Sequence, residues 1–434
     1  MSISEDKRLE KNKAISQHKR ETIARHSLMD CRTYTCKVQS NSLSNKQKEQ
    51  LMMMFIEAKW LKNYIINWSK IEGNDIWQFN TKIKNITHKD KDMNDVPVEL
   101  KYIGSQIKQQ VVQQIKSNIK TISTLKKKGY QHNGGSLTYC KEYTSLSLPQ
   151  YGITYSIKNN RVKIQGIKKT VKINGLEQFI NKPNIEITNG KLLNKPDGYY
   201  IQFTVFEPKE TKEYTKDIIG IDFGCSTTLT LSTGEKFNVS IPESDRLKLL
   251  QKKLARQVRL SKNWYKTKNK IKIEYQHISN IKNDKTKKFI HSLKDYSHIV
   301  IQDEQIHKWH KGLFGKTVQH SILGRIKSRL KSMDNVTVIS KWEPTTKLCP
   351  NCGQINKISL TQRVYKCDCG YSCDRDIHSA NNMIWFYKNR YSVPTEHRDI
   401  KPVEMESICA TDNDINSTQV LSMEAGNYTP LGVW

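Results

Sequence analysis

Two pairs of cysteines constrain this chain more than any other feature, because they leave room for only one local architecture. Cys349-Pro-Asn-Cys352-Gly353 sets two thiols two residues apart in a turn that glycine relaxes. Cys367-Asp-Cys369-Gly370 repeats the device after an intervening segment in which Arg363, Val364 and Tyr365 read as a strand. Four thiolates brought together this way bind one zinc ion tetrahedrally. Residues 346–372 are therefore expected to form a zinc ribbon, with Cys349, Cys352, Cys367 and Cys369 as ligands of one structural Zn²⁺. The second pair has one residue between its thiols where two are usual, and Cys373 lies four positions further on, so Cys373 could replace Cys367 or Cys369. Such a site holds structure and does no catalysis.

The other cysteines (Cys31, Cys36, Cys140, Cys225 and Cys409) are scattered, and the first thirty residues alternate charges without an apolar stretch suited to export. Clustered thiols without an export signal fit a metal site in a reducing cytoplasm better than a disulfide framework. No run approaches the length of a membrane-spanning helix, so no membrane role is expected. Lys and Arg total 72 against 42 acids, a formal charge of +30. A surplus of that size is a counterion for phosphate backbones, although it says nothing about chemistry.

The hydrophobic period changes along the 434 residues. Residues 1–30 read as a basic extension, perceptibly helical in parts, and Arg32–Gln39 alternates like a strand. Ser42 is a candidate cap for a helix from Lys46 to Trp68, with Leu51, Phe55, Ala58, Leu61 and Ile65 on one side. Asn74 to Pro97 is polar and loop-like. A second helix is expected over Val98–Leu125, ending at Lys126-Lys127-Lys128-Gly129, where cations meet the negative end of the helix dipole. From Tyr139 to Phe206 the runs are short and alternating, and Lys195-Pro196-Asp197-Gly198 is a turn between two apolar strands. These features predict a β-barrel or sandwich with a helical insert after its first strand.

Beyond Lys216 the pattern is α/β. Ile218–Asp222, His298–Gln302 and Val336–Ile339 read as strands, and Thr227–Phe237 as a hairpin around Ser232-Thr233-Gly234. Arg246–Lys288 reads as helical and strongly basic, with Leu247, Leu250, Leu254 and Val258 on an apolar face, and Val318–Leu330 as a further helix. The stretch from Val403 onward holds acids and no Lys or Arg, so residues 401–434 are expected to form an acidic, disordered tail.

Acids stand at the ends of these strands. Asp222 closes Gly220-Ile221-Asp222-Phe223-Gly224, Asp303 and Glu304 follow Ile299-Val300-Ile301-Gln302, and Asp374 and Asp376 follow the ribbon. Carboxylates are costly to bury unless they bind metal or cations. Converging from separate elements, they can hold two divalent ions for phosphodiester hydrolysis, and Mg²⁺ suits an all-oxygen site, with Mn²⁺ as substitute. The plainer account of any single acid is a turn former or cap, and Asp374 in particular could cap the helix through Ala380 and Met383.

With these segments in view, the chain resembles TnpB, the RNA-guided DNA endonuclease encoded by insertion sequences, and its compact type V CRISPR relatives. The resemblance rests on Gly-Ile-Asp222-Phe-Gly, the basic helices from Arg246, Ile-Val-Ile-Gln-Asp-Glu304, the ribbon and Asp-Arg-Asp376. It extends more weakly through Gln165-Gly166-Ile167-Lys168 and the turn before Tyr200. It implies a multidomain α/β plus β-barrel fold. Residues 31–216 would form a wedge β-barrel with a helical recognition insert at about 45–130. Residues 217–345 and 373–400 would form a RuvC (RNase H-like) nuclease domain interrupted by the zinc ribbon. It also implies Asp222, Glu304 and Asp376 as catalytic ligands of two Mg²⁺ ions, with guide RNA and target DNA as partners. A prokaryotic, cytoplasmic setting follows, and whether a homodimer forms is left open. Two departures stand out. Gln302 occupies the place where many relatives carry the second acid, which keeps Asp303 as an alternative to Glu304, and His378 replaces a common Asn. The basic candidates for nucleic-acid contact are Lys126, Lys127, Lys128, Arg246, Lys252, Lys253, Arg256 and Arg259, whose plainer account is a solvated charged face. The rival functions are a nuclease-inactive RNA-guided repressor and an RNA-independent transposase.

Overall fold

The computed structural model describes residues 5–90, 94–129, 137–210, 213–224, 226, 228–312, 314–359 and 361–392. The expectations for Cys225, Cys409 and the acidic tail fall outside those residues. The chain divides near residue 211 into two compact units.

The first unit opens with α1 (Glu5–Ser27), a helix too polar to bury a face, which is tied down at its end where Arg25 and His26 meet Glu186 at 3.0 and 3.1 Å. It leads into β1 (Met29–Val38). Next come α2 (Asn45–Trp68), the hairpin β2 (Asn85–Lys89) and β3 (Asp95–Glu99), and α3 (Ser105–Lys127). The strands β4 (Ser145–Leu148), β5 (Tyr155–Lys158), β6 (Arg161–Ile164), β7 (Val171–Asn174), β8 (Glu186–Lys195) and β9 (Gly198–Pro208) follow. They join β1 in one antiparallel sheet of order β4-β8-β9-β1-β7-β6-β5. The helical segment thus enters after the first strand, as the change of period predicts. The sheet curls. Tyr155 of β5, at one end of the ladder, donates its hydroxyl to the Thr188 carbonyl of β8 and packs against Phe203 of β9, near the other end. Gly190 makes room for that ring, since a Cβ there would lie 3.2 Å from it. The turn read at Lys195-Pro-Asp-Gly198 joins β8 to β9, with Lys195 paired to Gly198.

The two long helices differ in detail from expectation. Ser44, not Ser42, caps α2, in a reciprocal box with Gln47, and Leu51, Phe55, Ala58, Leu61 and Ile65 are buried as their spacing requires. Helix α3 begins at Ser105 and not at Val98, because Val96 and Val98 are spent on the β2–β3 hairpin inside the segment read as loop. Buried Glu57 of α2 supplies the physical reason. Its carboxylate accepts the N–H groups of Lys101, Tyr102 and Ile103 at 2.8–3.0 Å, turning the chain before Gly104. Three charge-assisted bonds are what make a buried carboxylate tolerable there.

The second unit is built on a five-stranded sheet of order β12-β11-β10-β13-β14. Its antiparallel half is β10 (Lys216–Phe223), β11 (Thr228–Leu231) and β12 (Lys236–Asn238). β13 (Tyr296–Gln302) and β14 (Val336–Ile339) extend it parallel to β10. β13 is covered on both faces: Ile299 and Ile301 join one core, and Val300 joins another with Ile339, Met383 and Phe386. That is why its sequence is a continuous apolar run and not an alternating one. Helices α4 (Asp245–Ala255) and α5 (Lys262–Ser292) replace the single helix expected from Arg246 to Lys288. The break falls at Leu260, in the left-handed region at φ +67°, after which Ser261 caps α5, and Val258 stands 79% exposed instead of extending the apolar face. The helix expected over Val318–Leu330 is likewise divided. After the single turn α6 (Ile306–Trp309) come α7 (Gly315–Gln319) and α8 (Leu323–Leu330). The ribbon strands β15 (Val364–Lys366) and β16 (Ser372–Asp374) lead directly into α9 (Arg375–Phe386), which lies on β10. Among the described residues, no helix is long and apolar enough to cross a membrane.

Candidate active site and metal centre

The approach of α9 to β10 begins with Gly220. A Cβ on that residue would lie 2.0 Å from the Ala380 carbonyl oxygen, so only glycine lets the helix backbone rest on the strand. Asp222 follows two residues later on the same strand. Asp376 sits in the first turn of α9, and Glu304 lies just past the end of β13, beside β10 in the sheet.

Asp222 feels the other two acids. Burial pushes Asp222 up to about 7, and the charges of Asp376 and Glu304 push in the same direction, while a hydrogen bond from Ser379 opposes them. Burial also raises Glu304. Asp303 is different. Lys331 and Lys327 donate to it at 2.8 and 2.9 Å and hold it down at about 2, so its charge is already neutralised by two ammonium groups. Asp374 caps α9, accepting from the N–H groups of Asp376 and Ile377 at 3.0 and 3.2 Å, and pairs with Lys236 at 2.9 Å. Of the five acids the sequence singles out, Asp222 feels the charges of Glu304 and Asp376, and Asp303 and Asp374 are employed elsewhere; among the described residues the three acids do not close to the mutual spacing that the four cysteines reach.

Several neutral residues, of which the sequence singles out only Gln302 and His378, surround these acids. The Ser379 hydroxyl donates to Asp222 Oδ1 at 3.1 Å and lies 3.1 Å from the Thr345 hydroxyl, which donates to Gln302 Oε1 at 3.1 Å. Gln302 Nε2 donates to the Ser340 and Glu343 carbonyls at 3.1 and 2.9 Å, so this buried amide is fully used as a strut. Asn382 Nδ2 donates to the Thr345 and Leu348 carbonyls at 2.7 and 2.8 Å, joining α9 to the start of the ribbon. His378 is fully buried, stacked on Tyr365 at 3.8 Å, and burial lowers it to about 4. It is a neutral packing residue.

The four expected cysteines converge. The Sγ atoms of Cys349, Cys352, Cys367 and Cys369 all lie within 4.8 Å of one another, with 3.5 Å between Cys349 and Cys369 and 3.6 Å between Cys352 and Cys367. Zn–S bonds of about 2.3 Å in a tetrahedron require thiolates at close to those separations, so the donor set fits zinc. Gly353 and Gly370 carry the positive φ of the two turns, at +75° and +89°. Cys373 pairs with Tyr365 across the ribbon hairpin and stays outside the group.

The basic candidates are exposed, with one qualification. Arg246 pairs with buried Glu274 at 3.0 Å and so anchors α4 to α5. Lys126 and Lys127 occupy the last turn of α3, where Lys128 is the cap, while Lys252, Lys253, Arg256 and Arg259 lie along and just past α4.

Residues 325–383, which hold most of α8, β14, the ribbon and Asp376, match the model of the family described as Cas12f1-like, TNB domain. A Streptomyces pristinaespiralis protein named as an RNA-guided DNA endonuclease is 30% identical over 185 residues, 39% of this chain and 45% of that protein. The Escherichia coli protein named RNA-guided DNA endonuclease InsQ is 28% identical over 193 residues, 38% of this chain and 48% of its own length. The chain spans just under half the length of those two relatives. A third relative, named as transposase A625R of Paramecium bursaria Chlorella virus 1, is 24% identical over 303 residues, 64% of this chain and 68% of the viral protein.

Proposed function

We propose that this protein is an RNA-guided DNA endonuclease whose reaction centre is Asp222, Glu304 and Asp376. The observation that carries the reading is the raised carboxyl of Asp222, buried beside two further acids on separate elements. A buried carboxylate kept near two further acids makes sense when divalent cations neutralise it. When bound, a pair of Mg²⁺ ions (or Mn²⁺) would supply an activated water and a counter-charge for the leaving oxygen of a phosphodiester. The protein's own part is to bind and to orient. Ser379 fixes one oxygen of Asp222, the cap at Asp374 fixes the first turn that carries Asp376, and Lys327 and Lys331 occupy Asp303, which leaves Glu304 as the acid of that pair proposed to bind metal.

The similarity to proteins named as RNA-guided DNA endonucleases supports guide RNA and target DNA as partners, with base pairing supplying sequence choice. In the finer reading, the curled sheet with its helical insert is the wedge barrel and recognition insert of residues 31–216. The five-stranded sheet with α9 is then a RuvC domain in two parts, 217–345 and 373–400, around the 346–372 ribbon. Lys126, Lys127, Lys128, Lys252, Lys253, Arg256 and Arg259 would meet phosphates, and the protein would work in a prokaryotic cytoplasm. The deciding experiment purifies the full chain with its RNA, sequences that RNA, and supplies a supercoiled plasmid carrying the matching target with Mg²⁺. Linear product that disappears on RNase treatment supports the reading. RNA-dependent binding without cutting would make the protein a repressor. The viral relative's name favours a second reading as a transposase, which joined strands formed without RNA would establish.

A further inference from the structure

The loop from Ser340 to Thr345 leaves β14 and reaches the zinc ribbon, and Trp342 in it is 70% exposed. A tryptophan ring ordinarily hides most of its surface, so so large an apolar face left in water asks for a reason. The loop is not slack. Ser340 donates its N–H to the Tyr391 hydroxyl at 2.9 Å, Glu343 pairs with Arg390 at 2.8 Å, and the Trp342 N–H bonds Ser340 Oγ at 3.3 Å. Gln302, two residues before Glu304, grips the Ser340 and Glu343 carbonyls, and Thr345 is separated from Asp222 only by the Ser379 hydroxyl. The backbone that holds the ring out is therefore tied to Gln302, two residues before Glu304, and through Thr345 and Ser379 to Asp222. Lys341 Nζ stands 4.4 Å from the ring centroid, so a cation travels with the aromatic surface.

A rigid loop that presents an aromatic face and an ammonium group is preorganised for a flat π-bearing ligand with an adjacent negative charge. A nucleotide of a single strand has that chemistry: the base stacks and the phosphate meets the cation. We infer that Trp342 is a stacking platform for one base of the DNA strand presented to the Asp222 cluster, with Lys341 beside the neighbouring phosphate. The inference rests on the nuclease reading above and adds a substrate-positioning residue to it. Every base has a π-face, so the platform sets the position of the strand without selecting its sequence.

The test uses the full chain with its co-purified RNA and measures cleavage rate against target concentration for the natural protein, Trp342→Ala and Trp342→Phe. Trp342→Ala is expected to require on the order of tenfold more DNA for half-maximal rate, and Trp342→Phe to recover most of the loss. Because the ring is mostly in solvent, neither change should move the melting temperature. In a second measurement, 5-iodouracil is scanned along the cut strand with Ca²⁺ in place of Mg²⁺ and irradiated, and the crosslinked peptide is expected to contain Trp342. Cleavage by Trp342→Ala at the natural rate and concentration dependence, or a crosslink pattern that misses Trp342, overturns the inference and leaves the nuclease reading intact. A lowered melting temperature without rescue by Phe would make the residue structural and overturn it too. If the natural protein does not cut at all, the nuclease reading fails first and the inference with it.

Discussion

Asp222 shows how a single carboxyl can link function to stability. Its ordinary value is 3.8 and its folded value about 7, chiefly through burial. The metal-free folded protein therefore holds a proton that the unfolded chain has released. Folded-state stability from this group falls as pH rises from about 4 to about 7. A divalent cation takes the proton's place, so Mg²⁺ should raise the melting temperature little near pH 5 and most above pH 7. Asp222→Asn should abolish cleavage and flatten that Mg²⁺ response, with the metal-free melting temperature unchanged or raised. Thermal melts across this pH range with and without Mg²⁺ check it, and an undiminished Mg²⁺ response in the variant would remove Asp222 from the metal site. The neighbouring pair Asp303 and Glu304 separates on similar grounds. Asp303 is half exposed and already matched by Lys327 and Lys331, so Asp303→Asn should cost under about 1 kcal/mol and retain most cleavage, whereas Glu304→Gln should lose it by orders of magnitude. Parallel plasmid assays decide the register, and the opposite ranking would move the second ligand to Asp303.

At the scale of elements, the site depends on how closely α9 can lie on β10. Gly220→Ala sets a methyl carbon against the backbone of Ala380, and neither partner is a flexible side chain that could move aside. The expected cost is about 3 kcal/mol or more, with cleavage lost because Asp376 is displaced along with the helix. Denaturant unfolding measures the first and the plasmid assay the second. Wild-type stability in that variant would show that the contact is looser than the backbone indicates. The ribbon is a second support. Its last strand, β16, runs straight into the cap of α9, and Asn382 bonds the carbonyl of Leu348 at its start. Removing zinc with a chelator, or Cys367→Ser, should therefore reduce cleavage although the thiols take no part in it. Zinc-specific metal analysis alongside the plasmid assay tests this, and full activity of the zinc-free protein would confine the ribbon to another role.

At the scale of the whole molecule the dominant property is a formal charge of +30. Exposed lysines and arginines on α3 and α4 give that charge places to act. A surface that neutralises about six to ten phosphates loses about 10³- to 10⁵-fold in affinity between roughly 50 and 200 mM salt. Binding of RNA lacking the guide's sequence should show that slope in a salt titration. Charge reversal at Lys252 and Lys253 should make the slope shallower, and an unchanged slope would mean that those lysines form only a solvated face.

Local features were legible from the residues alone. The two cysteine knuckles, the buried apolar run of β13, the helical faces of α2 and α3 and the turn at Lys195–Gly198 each depend on neighbours a few positions apart. Their periodicity and turn chemistry are written in the chain. Breaks such as Leu260 were invisible because an amphipathic pattern runs through a one-residue interruption unchanged, and Val98 was claimed by a hairpin after which distant Glu57 turns the chain. The struts Thr345, Ser379 and Asn382 left no trace either, since neutral polar side chains carry no period and gain meaning only when folding buries them against one another. The amino-acid order by itself determined which acids could gather. The tertiary structure decided which of them are already satisfied, because whether a carboxylate is paired, capping or left near another carboxylate depends on groups brought together from distant parts of the chain.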